Sequence, residues 1–301
     1  MIQSVAYFVA SGDAFFAGAL LIVVGHVASW WFRQRRRAKW LRLLTVIGVV
    51  LCIAAVTPLP LWLYAACLGL PIAWINLPFA NPETNWRYQQ LRRLQPLIEL
   101  LLLFAIGWEL WERTALSNRS VLSVVDRSGL PREIHVVGDS LSVGIADERE
   151  FLWPNLVAQL WDVRVVNHAQ AGATTETALV QANQITITDC WVVLEIGGND
   201  LLSGRDAAEI EHDFTKLLTS LAGRDRTLVM FELPVVPLPG AYRMARLQRR
   251  LARQFGVRLL SRRAFAKVLF SNGSTLDGLH LSQAGHQRLA DLVSETLSIK
   301  H

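Results

Sequence analysis

From Ile134 to Leu297 short apolar runs alternate with longer stretches of helical pattern, and this alternation restricts the fold more than any other feature of the chain. The runs Ile134–Val137, Val163–Val166, Trp191–Ile196, Thr227–Leu233 and Val257–Leu260 read as strands. Leu152–Leu160, Thr175–Ile185, Ala207–Leu221, the arginine-rich Tyr242–Phe255 and Gln283–Leu297 read as helices. Strands that alternate with helices build a parallel sheet covered on both faces, an α/β fold of three layers. In such sheets the chemistry lies at the carboxyl ends of the strands.

Four segments meet that restriction. His135–Ser142 runs from a strand into a turn at Gly138-Asp139-Ser140-Leu141, with Ser140 at the start of a helix. Asn167–Thr174 follows the second strand, and its Gly172 permits close approach of a substrate to the backbone. Leu194–Asp200 ends the third strand in Gly197-Gly198-Asn199-Asp200, and Leu276–Ser282 precedes the last helix. Together they hold the parts of a nucleophilic acyl transfer. A serine hydroxyl needs an adjacent base, and the base needs an orienting group. Ser140 is the candidate nucleophile, His280 the base, and Asp277 the group that holds its tautomer. The N–H groups of Ser140 and Gly172 and the amide of Asn199 are candidate oxyanion donors, one such donor being worth about 3–4 kcal/mol in a transition state. His135, His168 and His286 read as structural, and Asp139 and Asp200 as groups that support loops. No His/Cys/Asp/Glu spacing suggests a metal, and no cofactor is expected.

These blocks resemble the SGNH or GDSL hydrolases: GDSLS at Gly138–Ser142, the glycine at Gly172, GGND at Gly197–Asp200 and DGLH at Asp277–His280, in that order. The resemblance covers roughly residues 134–297. Within the family, the surroundings of Trp153-Pro154, LEIGGND and DGLHLS look most like the bacterial thioesterase/lysophospholipase branch. It implies a flavodoxin-like domain, with Ser140, Asp277 and His280 as catalytic residues and Ser140, Gly172 and Asn199 lining the oxyanion hole.

The first 115 or so residues have another character. The chain is 52% hydrophobic and 18% charged, against about a quarter charged in an ordinary soluble protein, and the apolar excess sits here. Ala14–Phe32 is 19 residues without a formal charge, enough for about 30 Å of hydrocarbon. Arg33–Arg42 follows with six positive charges in ten residues, which makes it a cytoplasmic loop by the positive-inside tendency. Leu43–Leu77 is broken by Thr57-Pro58-Leu59-Pro60, so two short spans are expected, about Leu41–Val56 and Leu61–Leu77. The segment Asn81–Pro96, with Arg87, Arg92 and Arg93, again suits the cytoplasm. If Leu97–Trp111 crosses, the spans number about four and the hydrolase faces the periplasm; if it lies flat as an amphipathic helix, the hydrolase is cytoplasmic. We adopt the crossing. His26, inside the first span, reads as a packed residue, and the three cysteines form no disulfide framework.

The expected organisation is therefore an all-α transmembrane region at 1–116, a linker at 117–132 and a hydrolase domain at 133–301. The expected location is the bacterial inner membrane with the hydrolase outside the cytoplasm. The expected partners are the lipid bilayer and an acyl ester or thioester with amphiphilic or membrane-proximal character. An acetyl esterase or O-acyltransferase acting on an envelope glycan uses the same residues, and a non-catalytic scaffold is the reading from another class. The net charge of +5 comes from the membrane-flanking cluster and from Arg243–Arg263, so nucleic acid is not an expected partner. The second cluster, eight arginines and no acid within Ala241–Ala266, reads as a solvated helix face or as a surface for anionic head groups.

Overall fold

The computed structural model describes residues 2–31, 35–75, 86–117, 133–144, 151–223, 225–234 and 238–297. The expected linker lies outside these apart from Ser117, as do Arg33 and residues 81–85 of the Asn81–Pro96 segment. By contacts the chain divides into two compact units, Gly12–Arg113, and Met1–Ser11 together with Thr114–His301.

The chain begins with α1 (Ile2–Ala10), α2 (Asp13–Trp31), α3 (Arg35–Ala54), α4 (Leu61–Ile75) and α5 (Trp86–Ser117). In the Gly12–Arg113 unit α2 and α3 approach closely through glycines. A Cβ placed on Gly18 would stand 2.5 Å from the Gly48 carbonyl oxygen, and one on Gly25 2.5 Å from Thr45 Oγ1. Small residues at such contacts let backbones touch. The Pro58/Pro60 pair does separate α3 from α4, and the Tyr64 hydroxyl ties the two by donating to the Cys52 carbonyl at 2.7 Å. α5 runs unbroken through Pro96, where a separate segment beginning at Leu97 was expected; a proline removes one N–H donor, and the rest of a long helix holds it.

The expected transmembrane region of about four spans is not met by these helices. Among the described residues no single helix is long and apolar enough to cross a membrane; Gln3–Ala10 with Asp13–Ala28 qualifies by length and composition only as a bent pair. The apolar parts of α3 and α4 are Trp40–Ala54 and Leu61–Ala73, and at about 1.5 Å rise per residue neither reaches the roughly 30 Å of a hydrocarbon core. α5 is long enough but carries Arg93, Glu99, Glu109, Glu112 and Arg113 along its length.

The other unit contains β1 (Glu133–Gly138), α6 (Ser140–Val143), α7 (Trp153–Trp161), β2 (Arg164–Asn167), α8 (Thr175–Asn183) and β3 (Trp191–Glu195). It continues with α9 (Gly198–Leu202), α10 (Ala207–Leu221), β4 (Thr227–Phe231), α11 (Ala241–Phe255), β5 (Arg258–Leu260), α12 (Arg262–Leu269) and α13 (Gln283–Leu297). The five strands form one sheet in the order β2-β1-β3-β4-β5, with every pairing parallel. The α/β expectation holds. β3 is buried throughout and β1 nearly so, as strands covered on both faces must be. α10 packs on α8 and α11, whereas α13 packs on α7 and α12; these two sets are the helical layers. β1 is followed by an edge strand on one side, and from β3 the order runs the other way. The crevice at the carboxyl ends of β1 and β3 is therefore the switch point where such folds bind ligands.

The helix expected to start at Ser140 is the short α6; the short α9, and α12, were not anticipated. α12 has a readable start in Ser261, whose Oγ accepts from the Ala264 N–H at 3.3 Å, but its opening Arg262-Arg263 resembles the rest of the basic run.

Candidate active site

Gly138 ends β1 in register with Glu195 of β3, and the chain then turns sharply. Asp139 caps α6, its Oδ1 accepting from the Leu141 N–H at 3.0 Å, and Ser140 is the first residue of the helix. Gly138 is gripped on its other side by Gln181 of α8: its N–H donates to Oε1 at 2.9 Å, and Nε2 returns a bond to its carbonyl at 3.0 Å. A Cβ on Gly138 would lie 2.7 Å from Ser142 Oγ, so this position has no room for a side chain.

The loop after β2 carries Gly172, at φ +75° with no atom within 4 Å of a Cβ. It is exposed, as a backbone donor facing a substrate has to be. The loop is pinned by the buried Asp200, whose carboxylate accepts from the Thr175 N–H at 2.9 Å and the Thr175 hydroxyl at 2.8 Å. Arg205 closes the far side of Asp200 at 2.8 Å. Asp200 thus supports a loop, as its sequence position suggests. Asn199 lies between the two turns: its Nδ2 donates to Asp139 Oδ2 and to the Ala173 carbonyl, both at 3.0 Å.

Asp277 and His280 share a tight loop closed by the Leu276 N–H donating to the His280 carbonyl at 2.8 Å, with Gly278 at φ +90°. Asp277 Oδ1 accepts from the N–H groups of Leu279 at 2.9 Å and His280 at 2.8 Å, and Oδ2 stands 2.7 Å from His280 Nδ1. The His280 backbone N–H, then its ring, then the Leu279 N–H hold the Asp277 carboxyl well below the usual carboxylate range. An ionised carboxylate only accepts, so Nδ1 carries the proton and Nε2 presents a lone pair. Among the described residues neither Ser140 Oγ nor His280 Nε2 has a hydrogen-bond partner. Such contacts commonly tighten only once substrate is bound.

The model matched here is that of the GDSL-like Lipase/Acylhydrolase family, over residues 136–288, just over half of the chain and inclusive of every residue just described. The chain belongs to that family. It is 25% identical over 174 residues to thioesterase 1/protease 1/lysophospholipase L1 of Escherichia coli (strain K12), a match covering 54% of this chain and 81% of the relative. It is 31% identical over 109 residues to an arylesterase of Vibrio mimicus, covering 34% of this chain and 54% of the relative. A crystal structure of TesA superposes with TM-score 0.50 at 25% identity, covering 55% of this chain and 98% of that one. This GDSL-family chain is accordingly a serine hydrolase of the esterase kind.

The sequence reading assigned no role to Ser142 or Glu195, and it read His135, His168 and His286 as structural. Ser142 Oγ donates to Glu195 Oε2 at 3.1 Å and accepts from Trp153 Nε1 at 3.3 Å. The Trp153 N–H is met by His286 Nδ1 at 3.4 Å, so His286 acts in packing. His135 stacks on His168, Nδ1 to Nε2 at 2.9 Å, also a structural use. Glu195 is buried and Asp139 nearly so. Burial raises both carboxyls, and the neighbouring Asp139 adds to the rise at Glu195, which stands well above the ordinary value. A carboxylate ending an otherwise apolar strand was the available signal for Glu195. The arginine-rich stretch is partly spent on contacts within the chain: the buried Arg249 pairs with Glu232 at 2.6 Å, the half-exposed Arg250 with Glu211 at 2.7 Å, and the Arg258 Nε donates to the Ser117 carbonyl at 2.9 Å.

Proposed function

We propose that the chain is a membrane-associated esterase or thioesterase that cleaves an amphiphilic acyl ester through an acyl-Ser140 intermediate. In this reading His280 Nε2 takes the Ser140 proton as Oγ attacks the acyl carbonyl, and Asp277 balances the imidazolium. The Ser140 and Gly172 N–H groups and the Asn199 amide receive the oxyanion. His280 returns the proton to the leaving alcohol or thiol, and water then releases the acid by the reverse steps.

The observation that carries this reading is the Asp277–His280 pair, 2.7 Å apart, which leaves a lone pair on Nε2 to act as base. The acyl substrate class is supported by what the relatives are named for, thioester, lysophospholipid and aryl ester hydrolysis, and by the exposed Leu276 and Leu279 that flank Asp277. Membrane association is supported by apolar side chains left exposed on α2 to α5; the bacterial inner membrane, with the hydrolase on the periplasmic side, is proposed from the basic Arg33–Arg42 segment. Leu20, Val50, Leu61, Trp62, Leu100 and Leu103 are each at least 57% exposed, an excess that water-facing helices do not carry.

A fluorophosphonate probe tests the chemistry: the parent chain is labelled and Ser140→Ala is not, and equal labelling of the two overturns it. A panel of acetyl to palmitoyl esters, lysophospholipid and acyl-CoA tests the substrate class, where activity on acetyl esters alone excludes the amphiphilic reading. A reporter fused after His301, with membrane fractionation, tests the location.

A further inference from the structure

Glu195 lies at the end of β3, directly under the turn that presents Ser140. Its Oε2 accepts from the Asp139 N–H at 3.3 Å and from the Ser142 hydroxyl at 3.1 Å. The same oxygen would be 3.2 Å from a Cβ on Gly138, so the carboxyl fills the space that the glycine leaves. Ser142 is held in turn by the Trp153 indole. Glu195 therefore touches all three parts of the turn: the Gly138 backbone, the Asp139 N–H and the first turn of α6. We propose that Glu195 is a positioning residue for the nucleophile, setting the Gly138–Ser140 backbone and the Asp139 carboxyl from beneath. The proposal rests on Ser140 being the nucleophile.

The side chain has to be more than a spacer. Glu195 and Asp139 are both buried, and two adjacent buried carboxyls cannot both ionise at neutral pH. Asp139 receives a backbone N–H and the Asn199 amide, and both contacts favour its ionised form. Glu195, buried and raised well above the ordinary carboxyl value by that burial and by the neighbouring Asp139, keeps the proton. A neutral carboxylic acid can accept on Oε2 from the turn and also donate toward Asp139. That arrangement holds the negative charge on Asp139, where it anchors Asn199. Glutamine has the same pattern of one acceptor and one donor group, whereas methionine matches the volume with neither.

The experiment compares kcat and KM of the full-length parent with Glu195→Gln, Glu195→Ala and Glu195→Met on one ester, Ser140→Ala serving as control. The expected result is a kcat near the parent's for Glu195→Gln. For Glu195→Ala and Glu195→Met kcat falls about 100-fold with KM little changed, the size of loss that a displaced reacting group brings. Infrared spectra of the parent at neutral pH show the C=O band of a protonated carboxyl that Glu195→Gln lacks. Parental kcat in the Met variant, an equal loss in Gln and Met, or no such band overturns the proposal. If the Ala variant does not fold, the Gln and Met pair carries the same comparison. A parent with no Ser140-dependent activity overturns the nucleophile reading itself, whereas Ser140-dependent activity indifferent to residue 195 overturns this proposal alone.

Discussion

Asn199 gives its side-chain amide to two neighbours at once, Asp139 Oδ2 and the Ala173 carbonyl, each 3.0 Å away. An amide nitrogen has two hydrogens, so both are committed before substrate arrives. The amide is thereby fixed between the Ser140 turn and the loop of Gly172. It can serve an oxyanion only by sharing one hydrogen as charge develops, an interaction made mainly in the transition state. Asn199→Ala is expected to lower kcat by about 100- to 1,000-fold with KM little affected. A rise in KM at constant kcat would instead place Asn199 in ground-state binding.

Asp277→Asn is expected to keep the loop and lose the chemistry. An Asn oxygen still accepts from the Leu279 and His280 N–H groups, but its amide faces His280 Nδ1 and favours the wrong tautomer. The analogous change in a serine protease triad costs about 10⁴-fold in kcat. The exposure of Asp277 sets the expectation here lower, near 100-fold or more. Equal kcat for parent and variant would remove Asp277 from the proposed mechanism.

Acid should destabilise the fold through histidines that the active site does not use. Burial lowers His135 and His286 from the ordinary 6.5 to about 4, with the charge of His168 adding to the effect at His135. Between those values the unfolded chain binds more protons than the folded one, so stability rises with pH. It is full above about 6.5 and is lost as pH falls toward 4. Asp277 acts in the same direction, because its depressed carboxyl stabilises the fold only while it stays ionised. Urea midpoints of the full-length chain in detergent should fall across that window. Replacing both His135 and His286 with Gln should flatten the slope, whatever it does to the absolute midpoint; an unchanged slope assigns the acid sensitivity elsewhere.

Two glycines of the site separate space from backbone strain. A Cβ on Gly138 would meet Ser142 Oγ at 2.7 Å and the Glu195 carbonyl oxygen at 3.1 Å. Gly138→Ala should therefore cost about 1–3 kcal/mol and depress kcat by moving the turn. Gly172 has open space and φ +75°, so Gly172→Ala should cost about 1 kcal/mol of backbone strain and leave its N–H in place. Thermal midpoints beside kcat for the two variants would show this order, and the reverse order would contradict it.

Glu232 offers a stability test away from the chemistry. It receives the buried Arg249 at 2.6 Å and the Arg262 backbone N–H at 3.0 Å, and Arg262 is itself buried. Glu232→Ala removes the carboxylate from beside the buried Arg249 guanidinium, and breaking a buried pair in this way costs about 3–5 kcal/mol. Denaturation of the variant should report that loss, and a change below about 1 kcal/mol would be characteristic of an exposed pair instead.

Strand order apart, most of the α/β unit was legible in the chain. The buried strands are continuous apolar runs, and each long helix shows its own period, so Ala207–Leu221 and Gln283–Leu297 were bounded to the residue. α9 was missed because a helix of five residues has no period to detect, whereas the start of α6 at Ser140 was legible from the turn before it. The N-terminal helices were legible as apolar segments. Their lengths after folding were not, since a hydropathy window does not show where a helix stops, and the expected set of spans failed on length.

The residue types of the site were determined by sequence alone: Ser140, Gly172, Asn199, Asp277 and His280 stand in blocks whose order and turn-forming neighbours are local properties. The relations among those blocks were decided only by tertiary structure. The register that sets Gly138 beside Glu195, the commitment of Asn199 to Asp139, and the anchoring of the Gly172 loop by Asp200 all join residues at least 25 positions apart. No periodicity links such residues. They meet because parallel strands need crossovers, and crossovers bring distant loops to the same end of one sheet.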